Sequence, residues 1–257
     1  MRQIPEISSR DISSVSTDEM IEVDRAMMED YKIDLPRMME NAGRSLASLV
    51  RSHFLGGAAK DYIVSVMAGS GGNGGGALVA ARHLSNWGAD VTIFLAQYTD
   101  KMTTVPADQL GILKEMGVAI ATPHDWSGQK DSFKSSDIIV DGLIGYSLRG
   151  APKGPAGELI DMANRSLTPV ISLDTPSGVD AGKGTVYQPA IEADATLTLA
   201  LPKTGLFERD VAKQIGELFC ADISVPPSLY SRFLSKNVGA IFSESEIIKI
   251  NTKSNPG

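Results

Sequence analysis

Cysteine is almost missing from this 257-residue chain, where Cys220 stands alone. A lone cysteine excludes an intramolecular disulfide framework and a cysteine-only zinc site, and it agrees with a reducing compartment. As a residue it reads as a small buried hydrophobe. Histidine is nearly as scarce: His53, His83 and His124 are isolated, without the paired spacing of a zinc site, and each reads as a surface or structural group. Positive charge is in deficit, with 24 Lys and Arg against 31 Asp and Glu for a net charge of −7. Such a surface repels a phosphate backbone, so nucleic acid is not expected as a partner. No apolar run approaches the roughly twenty residues of a membrane span, and the opening MRQIPEISSRDISS lacks the apolar centre of a signal peptide. The chain reads as a soluble cytoplasmic protein without membrane contact.

What is present is globular material, 42% hydrophobic and 21% charged, enough for a substantial core. Ser16 and Glu19 form a capping-box signature, and Met20, Val23, Ala26 and Met27 follow at helical spacing, which predicts a helix from about Thr17 to Asp30. After a break at Asp34 to Pro36, Met38, Met39, Ala42, Leu46, Leu49 and Val50 mark a second helix that ends before Gly56 and Gly57. From Tyr62 onward, short β-branched runs (Tyr62 to Met67, Val91 to Ala96, Ile138 to Val140, Val170 to Leu173, Ala195 to Leu201) alternate with helical segments near Gly74 to Asn86, Pro106 to Met116 and Ala156 to Asn164. The runs barely alternate in polarity, as strands buried on both faces do. The expectation is an α/β fold: a Rossmann-like, doubly wound, mainly parallel sheet with helices on both faces, in three αβα layers. No long linker or repeat interrupts it, so one domain over 1–257 is expected, with its core at about 17–250. A helix and strand after Pro226 would close the fold, and Thr252 to Gly257 would be a frayed tail.

Glycine is the residue in excess, and six of the 25 lie in AGSGGNGGGA, Ala68 to Ala77, between the first of these strands and the helix LVAARHL. Strand, glycine loop and helix is the layout that receives phosphate on exposed amides. Gly69, Gly71 and Gly74 also satisfy the dinucleotide pattern GxGxxG, but the ribose-binding acid of a dehydrogenase is missing where the next strand ends in Leu95, Ala96 and Gln97. A Walker loop is excluded because Gly76 is followed by Ala77 and Leu78. A tight turn explains one or two glycines, and six point to a ligand.

Open α/β sheets place ligands at the carboxyl ends of their strands. Asp141 ends DIIVD and Asp174 ends VISLD, each beside a glycine-containing turn. One such aspartate reads equally well as a cap; two tilt toward function. Asn73, Asp141 and Ser177 would project to the same sheet edge, and their oxygens suit a hard cation, potassium rather than a divalent ion. Neither Ser147 nor Ser177 sits in the Gly-x-Ser-x-Gly elbow of a hydrolase.

Five ordered segments, MMENAGRSLA (38–47), GSGGNGGGALVAARHL (69–84), DGLIGYSLRG (141–150), SLDTPSGVD (172–180) and LTLALPK (197–203), resemble the YjeF N-terminal domain family, the NAD(P)H-hydrate epimerases. The resemblance implies a commonly dimeric enzyme that interconverts the R and S forms of hydrated NADH and NADPH. It implies potassium held by Asn73, Asp141 and Ser177. It places substrate against Gly72, Asn73, Gly74, Gly75 and Gly76, against the turn Gly145, Tyr146, Ser147, Leu148, Arg149, Gly150 and Ala151, and against Asp174 as the catalytic acid and base. A separate NAD(P)H-hydrate dehydratase would be the pathway partner. The sequence departs from the family's usual GPGNNGGDGLV: Ser70, Gly72, Gly76 and Ala77 replace Pro, Asn, Asp and Gly, and Arg149 stands where Lys is common. A catalytically silent binding or scaffold domain is therefore the second reading, and a dehydrogenase the third.

Overall fold

The computed structural model describes residues 4–126, 133 and 135–252. A nine-stranded sheet runs through the molecule in the order β1-β9-β8-β7-β6-β5-β2-β3-β4. In chain order the strands are β1 (Glu6–Ser8), β2 (Ile63–Ala68), β3 (Asp90–Leu95), β4 (Ala119–Ala121), β5 (Ile138–Gly142), β6 (Val170–Leu173), β7 (Ala195–Leu199), β8 (Glu217–Ala221) and β9 (Ile247–Asn251). Every pairing is parallel except β8 with β9. From β2 the chain builds outward to β3 and β4, then returns to add β5, β6, β7 and β8 on the other side. The point of reversal, between β2 and β5, is where such sheets open a crevice.

The helices are α1 (Thr17–Glu29), α2 (Leu35–Leu49), α3 (Gly72–Asn86), α4 (Thr104–Glu115), α5 (Gly154–Ser166), α6 (Ala212–Ile215) and α7 (Pro227–Leu234). Val64, Val66 and Ala68 of β2 join one core with residues of α2, α3 and α4, whereas Met67, Phe94 and Ile139 join another with Leu159, Ile160 and Ala163 of α5. Successive side chains of a strand point to opposite faces, so the sheet is covered on both, and the three-layer expectation holds. A third core gathers α1, α7 and the β8–β9 end.

Several boundaries differ from expectation, and β1, β4 and β8 fall outside the expected runs. The second helix begins at Leu35, because Asp34 accepts from the Arg37 amide as its N-cap and Pro36 fits the first turn, where no amide partner is needed. The glycine segment is not a loop: helix α3 starts at Gly72, with Gly71 as N-cap. The C-terminal helix and strand are present, while residues 253–257 of the expected tail lie outside the described residues.

Candidate active site

Beyond β6 the chain turns through Asp174, whose φ is 65°, with the Thr175 amide donating to the Leu173 carbonyl at 2.8 Å. An i to i+2 bond around a positive φ is the strained form of the γ-turn. Such strain in a non-glycine residue persists only where its surroundings over-determine it. Here the Asp174 amide donates to Leu197 O at 2.7 Å, locking the turn onto β7. The carboxyl is buried, and its bonds are one-sided. Oδ1 accepts from the Lys203 ammonium, from the Leu199 amide at 3.2 Å and from Thr198 Oγ1 at 3.4 Å. Oδ2 accepts none among the described residues.

Lys203 is wholly buried, and Nζ also donates to Leu199 O at 3.0 Å. A buried ammonium persists only when paired, and Asp174 is its ion-pair partner. The lysine's backbone is held by the N-terminal segment: Val15 N donates to Pro202 O at 3.0 Å, and Thr204 N to Val15 O at 2.9 Å. The same ammonium lies 5.7 Å from the centre of the Tyr146 ring. The Tyr146 hydroxyl donates to Asp24 Oδ2 at 2.5 Å, joining the turn after β5 to α1. Burial pushes the Asp24 carboxyl up, against the pull of the Tyr146 bond and the Lys203 charge. Burial and the neighbouring Asp24 charge push the Tyr146 phenol up.

These groups border a cavity of about 300 Å³. Of the residues expected to meet substrate, Gly72, Asn73, Gly76, Gly145, Tyr146, Ser147 and Asp174 line it; Gly74, Gly75, Leu148, Arg149, Gly150 and Ala151 do not. Gly74 and Gly75 are turned into the protein: a Cβ at Gly74 would lie 1.9 Å from Gly69 O, and one at Gly75 would lie 2.5 Å from Met39 Sδ. A Cβ at Gly76 would lie 2.7 Å from Leu173 Cδ2, so this wall is apolar where the resembling family carries Asp. Only Gly71 and Gly72 of the segment have room for a side chain. Four of the six glycines thus serve close packing, which corrects the inference from their number, and helix α3 offers its first amides at Gly71 and Gly72 instead.

Sequence reasoning missed Asp24 and Lys203. Asp24 sits four residues after Met20 on the buried stripe of α1, and a carboxylate on an apolar face is a readable signal. Lys203 closes the otherwise apolar LTLALPK, but nothing local reveals its partner.

Asp141 does not line the cavity and is fully buried in β5. Oδ1 accepts from Ser177 Oγ at 2.6 Å and Leu143 N at 3.2 Å, and Oδ2 from Ser172 Oγ at 2.8 Å and Ser177 N at 2.9 Å. All four partners are neutral, and burial pushes this carboxyl up in spite of them. Asn73 packs against the same turn, 3.3 Å from where a Gly145 Cβ would stand, and its Nδ2 is buried without a partner among the described residues. Asn73 Oδ1, the Asp141 carboxyl, which has no protein counter-charge among the described residues, and Ser177 Oγ are oxygens of the kind a hard monovalent cation takes. Asp141 and Ser177 are in direct contact; Asn73 approaches them through the turn 142–145.

A family model described as the YjeF-related protein N-terminus matches residues 36–205. The chain is 39% identical to an NAD(P)H-hydrate epimerase of Dehalogenimonas lykanthroporepellens, over 93% of either chain. It is 32% identical to one of Rhodopirellula baltica, over 82% of this chain and 84% of the other. A bifunctional NAD(P)H-hydrate repair enzyme, Nnr, of Moorella thermoacetica is 34% identical over 84% of this chain, which spans only 41% of that longer relative. Among solved structures, yeast ynu0 superposes with a TM-score of 0.78 at 25% identity, over 93% of this chain and all of the other.

Proposed function

The chain belongs to the YjeF-related N-terminal family, and from that membership we propose that it is an NAD(P)H-hydrate epimerase, interconverting the R and S forms of hydrated NADH and NADPH. One observation carries the reading: a strained, buried Asp174 with one carboxylate oxygen anchored by Lys203 and the other free, in the wall of the cavity. A volume near 300 Å³ is at the small end of ligand sites. It suits the nicotinamide and its ribose, leaving the diphosphate to run outward past the exposed amides of Gly71 and Gly72 at the α3 N-terminus.

The hydrated ring carbon carries a hydroxyl and is bonded to the ring nitrogen. A proton delivered to the hydroxyl oxygen lets the nitrogen lone pair expel water and leaves an iminium carbon. Water then adds to either face and gives up its proton. Asp174 Oδ2 is the group for these transfers on the face it reaches, as acid in one direction and base in the other. Lys203 fixes the carboxyl through Oδ1 and offsets its charge as the proton comes and goes. The buried walls, Leu173 and Met39 among them, keep bulk water from the cation formed.

Asn73, Asp141 and Ser177 would hold potassium. Bound there, a cation would supply positive charge beside the Asp141 carboxyl and would join the glycine segment to the turns after β5 and β6. The bifunctional relatives carry additional chain, and a separate NAD(P)H-hydrate dehydratase is proposed as the partner that consumes the S form. The same reading includes a homodimer, one folded domain and a cytoplasmic setting.

The test mixes purified protein with R-hydrate in potassium buffer and follows the S-hydrate by chromatography. Accelerated appearance over the spontaneous background is expected, and Asp174→Asn should remove it. No acceleration would favour the silent binding domain, a reading to which the Leu173-filled wall at Gly76 lends support.

A further inference from the structure

Inverting a carbon by loss and return of water needs proton transfer at two faces of a flat ring. Asp174 is fixed: its turn is locked to β7, and Oδ1 is tied by three donors. Its free oxygen therefore reaches the ring from one side, and a single immobile carboxyl returns water to the face it left.

The cavity holds a second carboxyl that the mechanism above does not use. Asp24 projects from α1, an element separate from the strand ends that carry Asp174 and Lys203. Its Oδ2 accepts the Tyr146 hydroxyl, and no bond falls on Oδ1 among the described residues. The arrangement repeats that of Asp174: one oxygen anchored, one free. The Tyr146 ring that anchors Asp24 also lies 5.7 Å from the Lys203 ammonium, whose charge acts on the Asp24 carboxyl as well as on Asp174. Burial holds the Asp24 carboxyl toward its protonated form, the state that an acid opposite an ion-paired base requires.

We infer that Asp24 is a second catalytic carboxyl, serving the ring face opposite Asp174, with Tyr146 as its positioning residue. This rests on the epimerase reading. In one direction Asp24 protonates the departing hydroxyl, the C–O bond breaks as the nitrogen lone pair forms the C=N bond, and water leaves. A second water adds on the other face, its oxygen forming the new C–O bond and its proton passing to Asp174. Each cycle moves one proton from Asp24 to Asp174, and a cycle in the opposite sense, or exchange with solvent, restores it.

The test uses R-hydrate and, in separate runs, S-hydrate in water enriched in oxygen-18, reading the opposite epimer by chromatography and label in both epimers by mass spectrometry. Wild type should invert and label together. In runs begun from either epimer Asp24→Asn should lower inversion by about 100-fold or more, while the one epimer whose hydroxyl lies on the Asp174 face still gains label without inverting, because Asp174 continues to remove and return water there. Tyr146→Phe should fall between, and Asp24→Glu should recover part of the inversion. Unchanged inversion in Asp24→Asn overturns the proposal. So does equal loss of inversion and labelling with both epimers in a variant whose thermal unfolding matches wild type, since that pattern means a binding or structural role. A wild type that neither inverts nor labels sinks the epimerase reading itself, a result distinct from either.

Discussion

Lys203 and Asp174 form a pair whose members are not equivalent on removal. Lys203→Met leaves a buried carboxylate without its cation, and breaking one side of such a pair destabilises by about 3–5 kcal/mol. Urea unfolding of the single variant and of the Lys203→Met, Asp174→Asn double variant should show the double variant recovering a large part of that loss, because neither charge is then stranded. Asp174→Asn alone strands the buried Lys203 ammonium, so it should also lose stability, and its folded protein should epimerise about 100-fold to 10,000-fold more slowly. Of this pair only Asp174 was legible in the sequence, as an aspartate closing a β-branched run before a Thr-Pro-Ser-Gly turn. Its partner is 29 residues away and is brought to it by the adjacency of β6 and β7, a fact of sheet order that no local pattern carries. Tyr146 was readable as a member of the turn after β5 but not as the partner of Asp24, which is 122 residues distant.

Helix α3 shows what periodicity conveys and what it omits. Its apolar stripe identified the helix, yet five glycine-rich residues at its start look like a loop because glycine is a weak helix former. They are glycine because neighbours come too near for a side chain: a Cβ on Gly75 would lie 2.5 Å from Met39 Sδ of α2, and from the α2 side a Cβ on Gly43 would lie 2.4 Å from Gly76 O and 2.5 Å from Val79 Cβ. Gly43→Ala should therefore destabilise by about 1–3 kcal/mol, read by urea unfolding. Gly71→Ser meets nothing within 4 Å and adds a capping hydroxyl where none exists; it should be neutral or slightly stabilising while weakening substrate binding at the helix end. The β8–β9 pairing responds to pH. The Lys249 ammonium, aided by His53, holds the Glu217 carboxyl below its ordinary 4.5. A depressed carboxyl stabilises the fold fully above its unfolded value and loses that contribution as pH falls through the folded one. Melting temperatures should accordingly separate wild type from Glu217→Gln at neutral pH and converge below about pH 4.

Across the whole molecule, the parallel order of strands was readable from short apolar runs spaced by helices, and the reversal between β2 and β5 put the cavity at the strand ends where the sequence had placed Asp141 and Asp174. The outer edge was less legible: β1 has three residues and pairs with β9 at the far end of the chain, too short a strand for its own alternation to show. No described helix is long and apolar enough to cross a membrane. A cation seated at Asp141 would link β5, the α3 start and the turn holding Ser177, so its effect belongs to the molecule rather than to one residue. Melting temperature should rise with potassium chloride beyond the change produced by choline chloride at equal ionic strength. Asp141→Asn should abolish that difference. An equal response to both salts would remove the site.

The N-terminal strap has a consequence in time. Residues 14–24 brace the Lys203 backbone, receive Lys236 at Ser14 and Glu19, and supply Asp24. A ribosome delivers these residues before Lys203 and Lys236, and the strands from β2 to β6 emerge between them and can gather first, as domains fold during synthesis. A nascent chain can therefore own most of its sheet and still have no catalyst. Turnover begins only when this N-terminal segment meets Lys203 and Lys236, so a chain interrupted before those residues are translated stays inactive.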